Sequence, residues 1–565
     1  MTKNILSTSG YSRFLILIAG LGGLLYGIDV GIIAAALLYL SKTVSLSVEQ
    51  TSFIVAAVLG GSMCSSLVAG VMADWLGRKK MMIVSGLLFV ASVALIVISQ
   101  SFIPLFCGRL LQGVSGGVIA VVVPLYLAET LGADKRGQGT AIFQFMLTFG
   151  IVIASLTGWF YTHQAEAAVA AAAGNPTLIR TAQDHAWRGM FLSVIYPGVA
   201  FFFGAFLLTE TPRWLVRHGK SDEALAALRR SSPEQEAQLE MREIEALATE
   251  DKRKTSTNSS GSLLKRKYII PFVLACFILA CNQATGINSI LAFLVIILKQ
   301  AGMSANHATQ GDLAVKIVNC LMTIVAVMLV DRKGRKFLLK LGTGGIIVSL
   351  IAAALIFQGF ESKRINVVDR LQRLQSGNKL TLQVNEATLG PAVDGRPMAL
   401  TVLYSQGDGD KVSTVLSNDP DPTLAISPEQ KDAASPLTIK RALYGPVPTE
   451  KTGWFITICL GLFIAAYAVG PGVVVWLALS ELMPTRIRST GMGIALLLNQ
   501  GVSTLIAAVF LPVVGNYGYY AMFSFWAACT ALYFITATFF LPETKGRTLE
   551  EIEEHFNRGD SEVQV

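Results

Sequence analysis

Apolar residues run in long blocks along this chain, and polar residues crowd into the gaps between them. Twelve blocks stand out, at roughly 14–40, 51–73, 81–100, 103–128, 139–161, 188–208, 268–298, 312–330, 337–357, 453–480, 489–514 and 518–541. A bilayer core of about 30 Å needs roughly 20 apolar residues in a helix, because lipid offers the backbone no hydrogen-bond partner. The pattern therefore predicts twelve transmembrane helices. The first block is too long for the apolar core of a secretory leader and carries no cleavage site.

Three gaps are long. The segment 162–187 reads as an outward loop. The segment 209–267 mixes 12 basic with 10 acidic residues. Within it Ser232 is placed to cap a helix, with Pro233 at the first helical position and Gln235 behind it. Short amphipathic helices are expected there, then a flexible stretch from Thr255 to Ser262. The segment 358–452 changes period. Leu380, Leu382 and Val384 alternate with Thr381, Gln383 and Asn385, the signature of a strand. Met398 to Tyr404, Val412 to Leu416 and Leu437 to Ile439 read similarly. Gly390-Pro391, Asp408-Gly409-Asp410 and Asn418-Asp419-Pro420 mark turns between them. With a short helix from Arg364 to Leu374, this predicts a small β-rich domain.

The chain repeats itself. Asp74-Trp75-Leu76-Gly77-Arg78-Lys79 returns as Asp331-Arg332-Lys333-Gly334-Arg335-Lys336, an offset of 257. Glu129 and Arg136 return as Glu481 and Arg488, and Glu210 returns as Glu543. The offsets, 257, then 352, then 333, are accounted for by the insertions at 358–452 and 162–187. Two parallel six-helix repeats follow. The expected organisation is a first half at 1–208, a linker at 209–267, helices seven to nine at 268–357, the insertion at 358–452, helices ten to twelve at 453–541 and a tail at 542–565.

Composition agrees with a membrane solvent: 52% of residues are hydrophobic, 15% are charged, and mean hydropathy is +0.54. The net charge of +8 sits in short clusters between apolar runs, which speaks against a nucleic-acid partner. Eleven lysines and arginines fall in the short loops of one side and two, Lys42 and Lys299, in those of the other. Positive residues stay inside, so both termini are expected in the cytoplasm, with the protein multi-pass in a plasma or inner membrane. The seven cysteines lie in apolar runs without metal-ligand spacing. No nucleotide loop or nucleophile–base pair appears, so neither an enzyme nor a cofactor is expected.

The motifs, taken in order, resemble the sugar porter family of the major facilitator superfamily. They are Gly27-Ile28-Asp29, Gly77-Arg78-Lys79, Arg109, Glu129 with Arg136-Gly137, and Glu210-Thr211-Pro212-Arg213. In the second half come Gln283-Ala284-Thr285-Gly286-Ile287-Asn288, Gly470-Pro471-Gly472 with Trp476, and Pro542-Glu543-Thr544-Lys545-Gly546. The resemblance implies a cavity between the halves that opens to one side at a time. It implies that Gln144, Gln283, Asn288, Asn319, Trp476 and Asn499 line a sugar site. Amides suit this role, since a sugar hydroxyl needs both a donor and an acceptor, and an indole suits an apolar sugar face. The chain departs from the family at Trp75, Asn282, Ala292, Phe293 and Gln500.

Asp29 and Arg109 are ionisable residues in apolar runs, which marks function in a membrane. Relatives that couple to protons carry an acid at the Asp29 position, so Asp29 is the expected proton carrier and Arg109 its partner. Arg78, Arg136, Arg335 and Arg488, with Glu129, Glu210, Glu481 and Glu543, are expected to form gating salt bridges at the cytoplasmic helix ends. Lys316 is expected near the outer end of helix eight, reaching for the interface. It shares a face with Asn319, which gives it a second possible role in attracting an acidic sugar. The expected function is import of a sugar, a monosaccharide first, by proton symport. The alternatives are an uncoupled sugar facilitator, a transporter-like sugar sensor and a drug–proton antiporter. The sequence does not reach the identity of the sugar or the oligomeric state.

Overall fold

The computed structural model describes residues 8–131, 133–231, 233–255, 266–390, 396–406, 409–417, 422–426, 435–482 and 488–543. Twelve helical segments are long and apolar enough to cross a membrane. They are Gly10–Thr43, Val48–Leu76, Arg78–Ile98, Phe102–Thr130, Ala141–Ala171, Pro176–Phe206, Ile269–Gln300, Ala305–Val330, Arg335–Glu361, Glu450–Val475, Gly491–Tyr517 and Tyr519–Phe539. Their outward faces carry exposed Val71, Phe203, Val348, Phe455 and Phe539, the apolar surface a bilayer requires. The protein is a multi-pass membrane protein with twelve spans.

The two repeats pack alike. In the first half the first span lies on the fifth, the second on the fourth, and the third on the fourth and sixth. In the second half the seventh lies on the eleventh, the eighth on the tenth, and the ninth on the tenth and twelfth. Adding six to each number turns one list into the other. Between the halves, the second span meets the eleventh and the fifth meets the eighth, a pair of contacts related by the same rule. The first span also packs on Ile287–Gln300, the later part of the seventh.

The linker and the insertion lie at opposite ends of the spans, since three spans separate them in the chain. The bonds that cross between halves near the insertion side include Ser155 Oγ to Asp312 Oδ2 at 2.7 Å, and Leu511 N to Ser52 Oγ at 3.2 Å. Asn306 Nδ2 and His163 Nδ1 meet there too, at 3.4 Å.

Where a loop was expected at 162–187, the chain forms a helical hairpin. The helix that includes the fifth span continues to Ala171, and the next begins at Pro176. The turn uses Gly174 at φ 84°. Asn175 Oδ1 caps the new helix by accepting from Thr177 N and Leu178 N, with Pro176 at its first position.

The linker forms helices Pro212–Arg217, Ser221–Ser231 and Glu234–Thr255, which bury Leu215, Leu228, Met241 and Ile244 together. Ser232 and most of the stretch expected to be flexible, 256–262, lie outside the described residues.

The insertion is β-rich. Strands β1 (Ile365–Asn366), β6 (Thr438–Pro446), β3 (Met398–Ser405) and β4 (Asp410–Leu416) form an antiparallel sheet in the order β1-β6-β3-β4. Strands β2 (Leu380–Gln383) and β5 (Thr423–Ile426) form a second, two-stranded sheet. The alternation resolves as burial: Leu380 and Leu382 face a core with Leu400, Val402, Ile439 and Tyr444, while Thr381 and Gln383 are exposed. Strands β1 and β5 were not expected.

The insertion is anchored mainly in the second half. Arg441 Nη1 donates to Gly515 O at 2.6 Å, at the end of the eleventh span. Glu361, at its entrance, accepts from the backbone N–H groups of Tyr519 and Tyr520 and so caps the twelfth span. Toward the first half, Asp410 N in β4 donates to Glu49 Oε2 at 3.4 Å, at the start of the second span.

Candidate functional site

The first span carries Gly27 against the backbone of the fifth. A Cβ there would stand 1.9 Å from Leu147 O, so only glycine allows this approach. Two residues on, the Asp29 side chain is completely buried. Its Oδ1 receives Arg109 Nη1 from the fourth span at 3.2 Å. Arg109 Nη1 also donates to Gln112 Oε1 at 2.8 Å, and its guanidinium lies 5.6 Å from the centre of the Phe191 ring. Asp29 Oδ2 is buried without a hydrogen-bond partner. The pair expected from sequence is therefore formed, with one carboxylate oxygen unsatisfied.

Three of the expected amides join in one network around a broken seventh span. The helix Arg266–Ala284 stops, Gly286 turns left-handed at φ 83°, and Ile287–Gln300 resumes. A Cβ on Gly286 would strike the Trp526 ring at 2.3 Å. The break brings Gln283 and Asn288 together, with Asn288 Nδ2 donating to Gln283 Oε1 at 3.0 Å. Gln283 Nε2 donates to Asn499 Oδ1 at 3.1 Å, and Asn288 Nδ2 to Ser503 Oγ at 2.7 Å, both on the eleventh span. Asn282 Nδ2 donates to Tyr467 Oη at 3.2 Å. Tyr26, one turn before Asp29, lies beside Ser62 and Gln500. It therefore stands between the ion pair of the first half and the amides of the second.

Gln144 is half-buried on the fifth span, and Asn319 is buried on the eighth. They lie outside the Gln283 network, on the two spans that meet where Thr148 Oγ1 approaches Cys320 Sγ at 3.6 Å. Trp476 falls on the helix Pro471–Leu482, which follows a second break at Gly470. The side chains of Trp476, Arg136, Glu481 and Arg488 lie outside the described part of the structure.

Among the described residues, the bonds of the remaining gating candidates lie within their own halves. Arg78, buried, donates from Nη2 to Asp74 Oδ1 at 2.6 Å and to Glu129 Oε1 at 2.9 Å. Glu129 Oε2 accepts from Thr211 Oγ1 at 2.6 Å. The Glu210 carboxylate takes backbone N–H groups of Arg78, Lys79 and Thr211, capping the third span. Burial holds the Glu210 carboxyl above its ordinary range, against the pull of those N–H groups and Arg78. Glu543 repeats the device, accepting from Arg335 N at 3.0 Å and Lys336 N at 3.1 Å. The sequence repeat Glu210/Glu543 thus marks two helix caps built on Gly77 and Gly334, both at positive φ.

Lys316 does not reach the interface as expected. It is 0% exposed and pairs with Asp312, 1% exposed, one turn earlier on the eighth span. The reason is Asp312, which neutralises the lysine inside the bundle and removes its need for water. Asp312 was missed because it stands at the edge of an apolar run. The usable signal was an acid and a base four apart.

The profile of the family described as sugar (and other) transporter matches residues 15–369 and 438–556, and the chain belongs to that family, the sugar porters of the major facilitator superfamily. Its members and fold are transporters, not enzymes. The unmatched residues 370–437 lie inside the insertion. The chain is 26% identical over 549 residues to the glucose transporter GlcP of Staphylococcus epidermidis, covering 96% of this chain and 97% of that one. It is 27% identical over 559 residues to the proton myo-inositol cotransporter hmit-1.1 of Caenorhabditis elegans, covering 94% and 88%. Its fold matches the inward open conformation of the xylose transporter XylE from E. coli, with a TM-score of 0.65, 20% identity and coverage of 96% and 98%.

Proposed function

We propose that this sugar transporter imports a monosaccharide by proton symport, with Asp29 carrying the proton. The observation that supports this is the unsatisfied Asp29 Oδ2 beside a bonded Oδ1. A proton on Oδ2 neutralises a buried carboxylate that has one oxygen without a donor, and it cancels the charge that holds Arg109. Arg109 then keeps Gln112 Oε1 and the Phe191 ring, so it is not stranded when Asp29 is neutral. Gln283, Asn288 and Asn499 hold the sugar hydroxyls, exchanging bonds among themselves for bonds to substrate. Gln144, Asn319 and Trp476 complete the site from neighbouring spans. Arg136, Glu481 and Arg488 join the gate at the linker side as the halves close there.

Positive charge on the short loops of the linker side assigns that side, and both termini, to the cytoplasm. The cross-half bonds near the insertion then seal the outer face, and the state is inward-facing. The insertion caps the outer vestibule and filters what enters.

Uptake of labelled sugar into proteoliposomes, with and without an inward proton gradient, tests the coupling. A gradient of one pH unit should drive about tenfold accumulation at one proton per sugar. Asp29→Asn should abolish accumulation while sugar exchange continues. Equal filling with and without the gradient in the unaltered protein makes it a facilitator. Removing 362–448 behind a short linker should widen the range of sugars accepted.

A further inference from the structure

The second buried ion pair is not part of the proton site, nor of the amide network. Lys316 Nζ lies 2.9 Å from Asp312 Oδ1 and donates to Asp312 Oδ2 at 3.0 Å. Each partner also bonds the other half of the molecule. Lys316 Nζ donates to the backbone carbonyl of Gly31 on the first span at 3.2 Å. Asp312 Oδ2 accepts from Ser155 Oγ on the fifth span at 2.7 Å. Gly31 lets the first span lie close on the fifth, since a Cβ there would stand 2.7 Å from the Ala154 Cβ.

We propose that Asp312 and Lys316 form a latch that holds the two halves together on the insertion side and sets how often the transporter opens there. Both charges sit on one helix, four residues apart, so the pair travels as a neutral unit when the halves separate. Opening breaks the bonds to Gly31 and Ser155 and leaves the ion pair intact. The carbonyl released belongs to Gly31, two residues from Asp29 on the same span. The latch thereby ties the first span, which carries the proton site, to the eighth.

This proposal rests on alternating access and not on proton coupling, and its test keeps pH equal on both sides of the membrane. Cys320, one turn beyond Lys316 and buried against Thr148, is the probe. The other six cysteines are replaced by alanine. A membrane-impermeant methanethiosulfonate is then applied from the insertion side of oriented proteoliposomes. Asp312→Asn with Lys316→Gln removes both charges and keeps a polar side chain at each position. It should raise the Cys320 modification rate about tenfold or more, the effect of losing hydrogen bonds to charged groups. Ser155→Ala removes one cross-half bond, keeps the ion pair, and should raise the rate about twofold to fivefold. It decides the question alone should the double variant not fold. An unchanged or lower rate in folded Ser155→Ala protein overturns the latch. A raised rate supports it whether or not Asp29 carries a proton.

Discussion

The two buried ion pairs share a chemistry and differ in what they span. Asp29 and Arg109 belong to the first and fourth spans of one half, and their bond stays inside that half. Asp312 and Lys316 belong to a single helix, and their further bonds reach across to the other half. The first pair has a buried oxygen without a donor and a guanidinium with a second acceptor ready. The second has both carboxylate oxygens at the ammonium, Oδ1 at 2.9 Å and Oδ2 at 3.0 Å, although Oδ1 accepts no hydrogen bond. Two charged pairs in one membrane bundle therefore bear on different contacts, one within a half and one between the halves.

Four substitutions sharpen this contrast. Arg109→Gln should have the largest effect, since it takes the cation from Oδ1 of the completely buried Asp29, whose Oδ2 already lacks a donor; unfolding should become easier by about 3–5 kcal/mol. Thermal unfolding in detergent followed by size-exclusion chromatography measures it. Lys316→Gln should cost less, about 1–3 kcal/mol in the same assay, because Asp312 keeps the Ser155 hydroxyl. A larger loss in Lys316→Gln than in Arg109→Gln would reverse the comparison. Asn499→Ala removes neutral bonds to Gln283 Nε2 and Leu279 O. Its effect should appear in sugar affinity, a Kd higher by about fivefold to tenfold, read by isothermal titration with the transported sugar. Arg229→Ala is the control: its bond to Glu234 joins two exposed side chains, and the change in stability should stay within about 0–1 kcal/mol.

The spans were legible because lipid punishes polar residues along a whole helix, so each run announces itself locally. The insertion was legible for a related reason, since Leu380 and Leu382 alternate with polar neighbours on a strand buried on one side. Strand β5 escaped because four residues beside turn-forming Asp-Pro sequence give too short a pattern, and its partner β2 lies about 40 residues earlier. The hairpin at 162–187 escaped for another reason. Its alanines lack the hydropathy of a span, although Asn175-Pro176 carries a helix-start signature.

The site divides in the same way. Asp29 could be found because one charge in an apolar run is conspicuous. The joining of Gln283, Asn288 and Asn499 depends on Gly286 breaking the seventh span and on an eleventh span more than 200 residues away. Glu210 and Glu543 were found by their repetition, but their role as helix caps depends on Gly77 and Gly334 at positive φ. Asp312 needed Ser155, which only the packing of the fifth span on the eighth brings near.

The uneven anchoring of the insertion has a pharmacological consequence. It is fixed to the second half through Arg441 and the Glu361 cap, and it touches the first half through Asp410 and Glu49. An antibody fragment that recognises the seam between β4 and the second span would clamp one orientation of the halves without competing for the sugar. One that recognises only the sheet of β6 and β3 would ride along harmlessly. Because residues 370–437 fall outside the family profile, such a clamp would distinguish this transporter from its relatives.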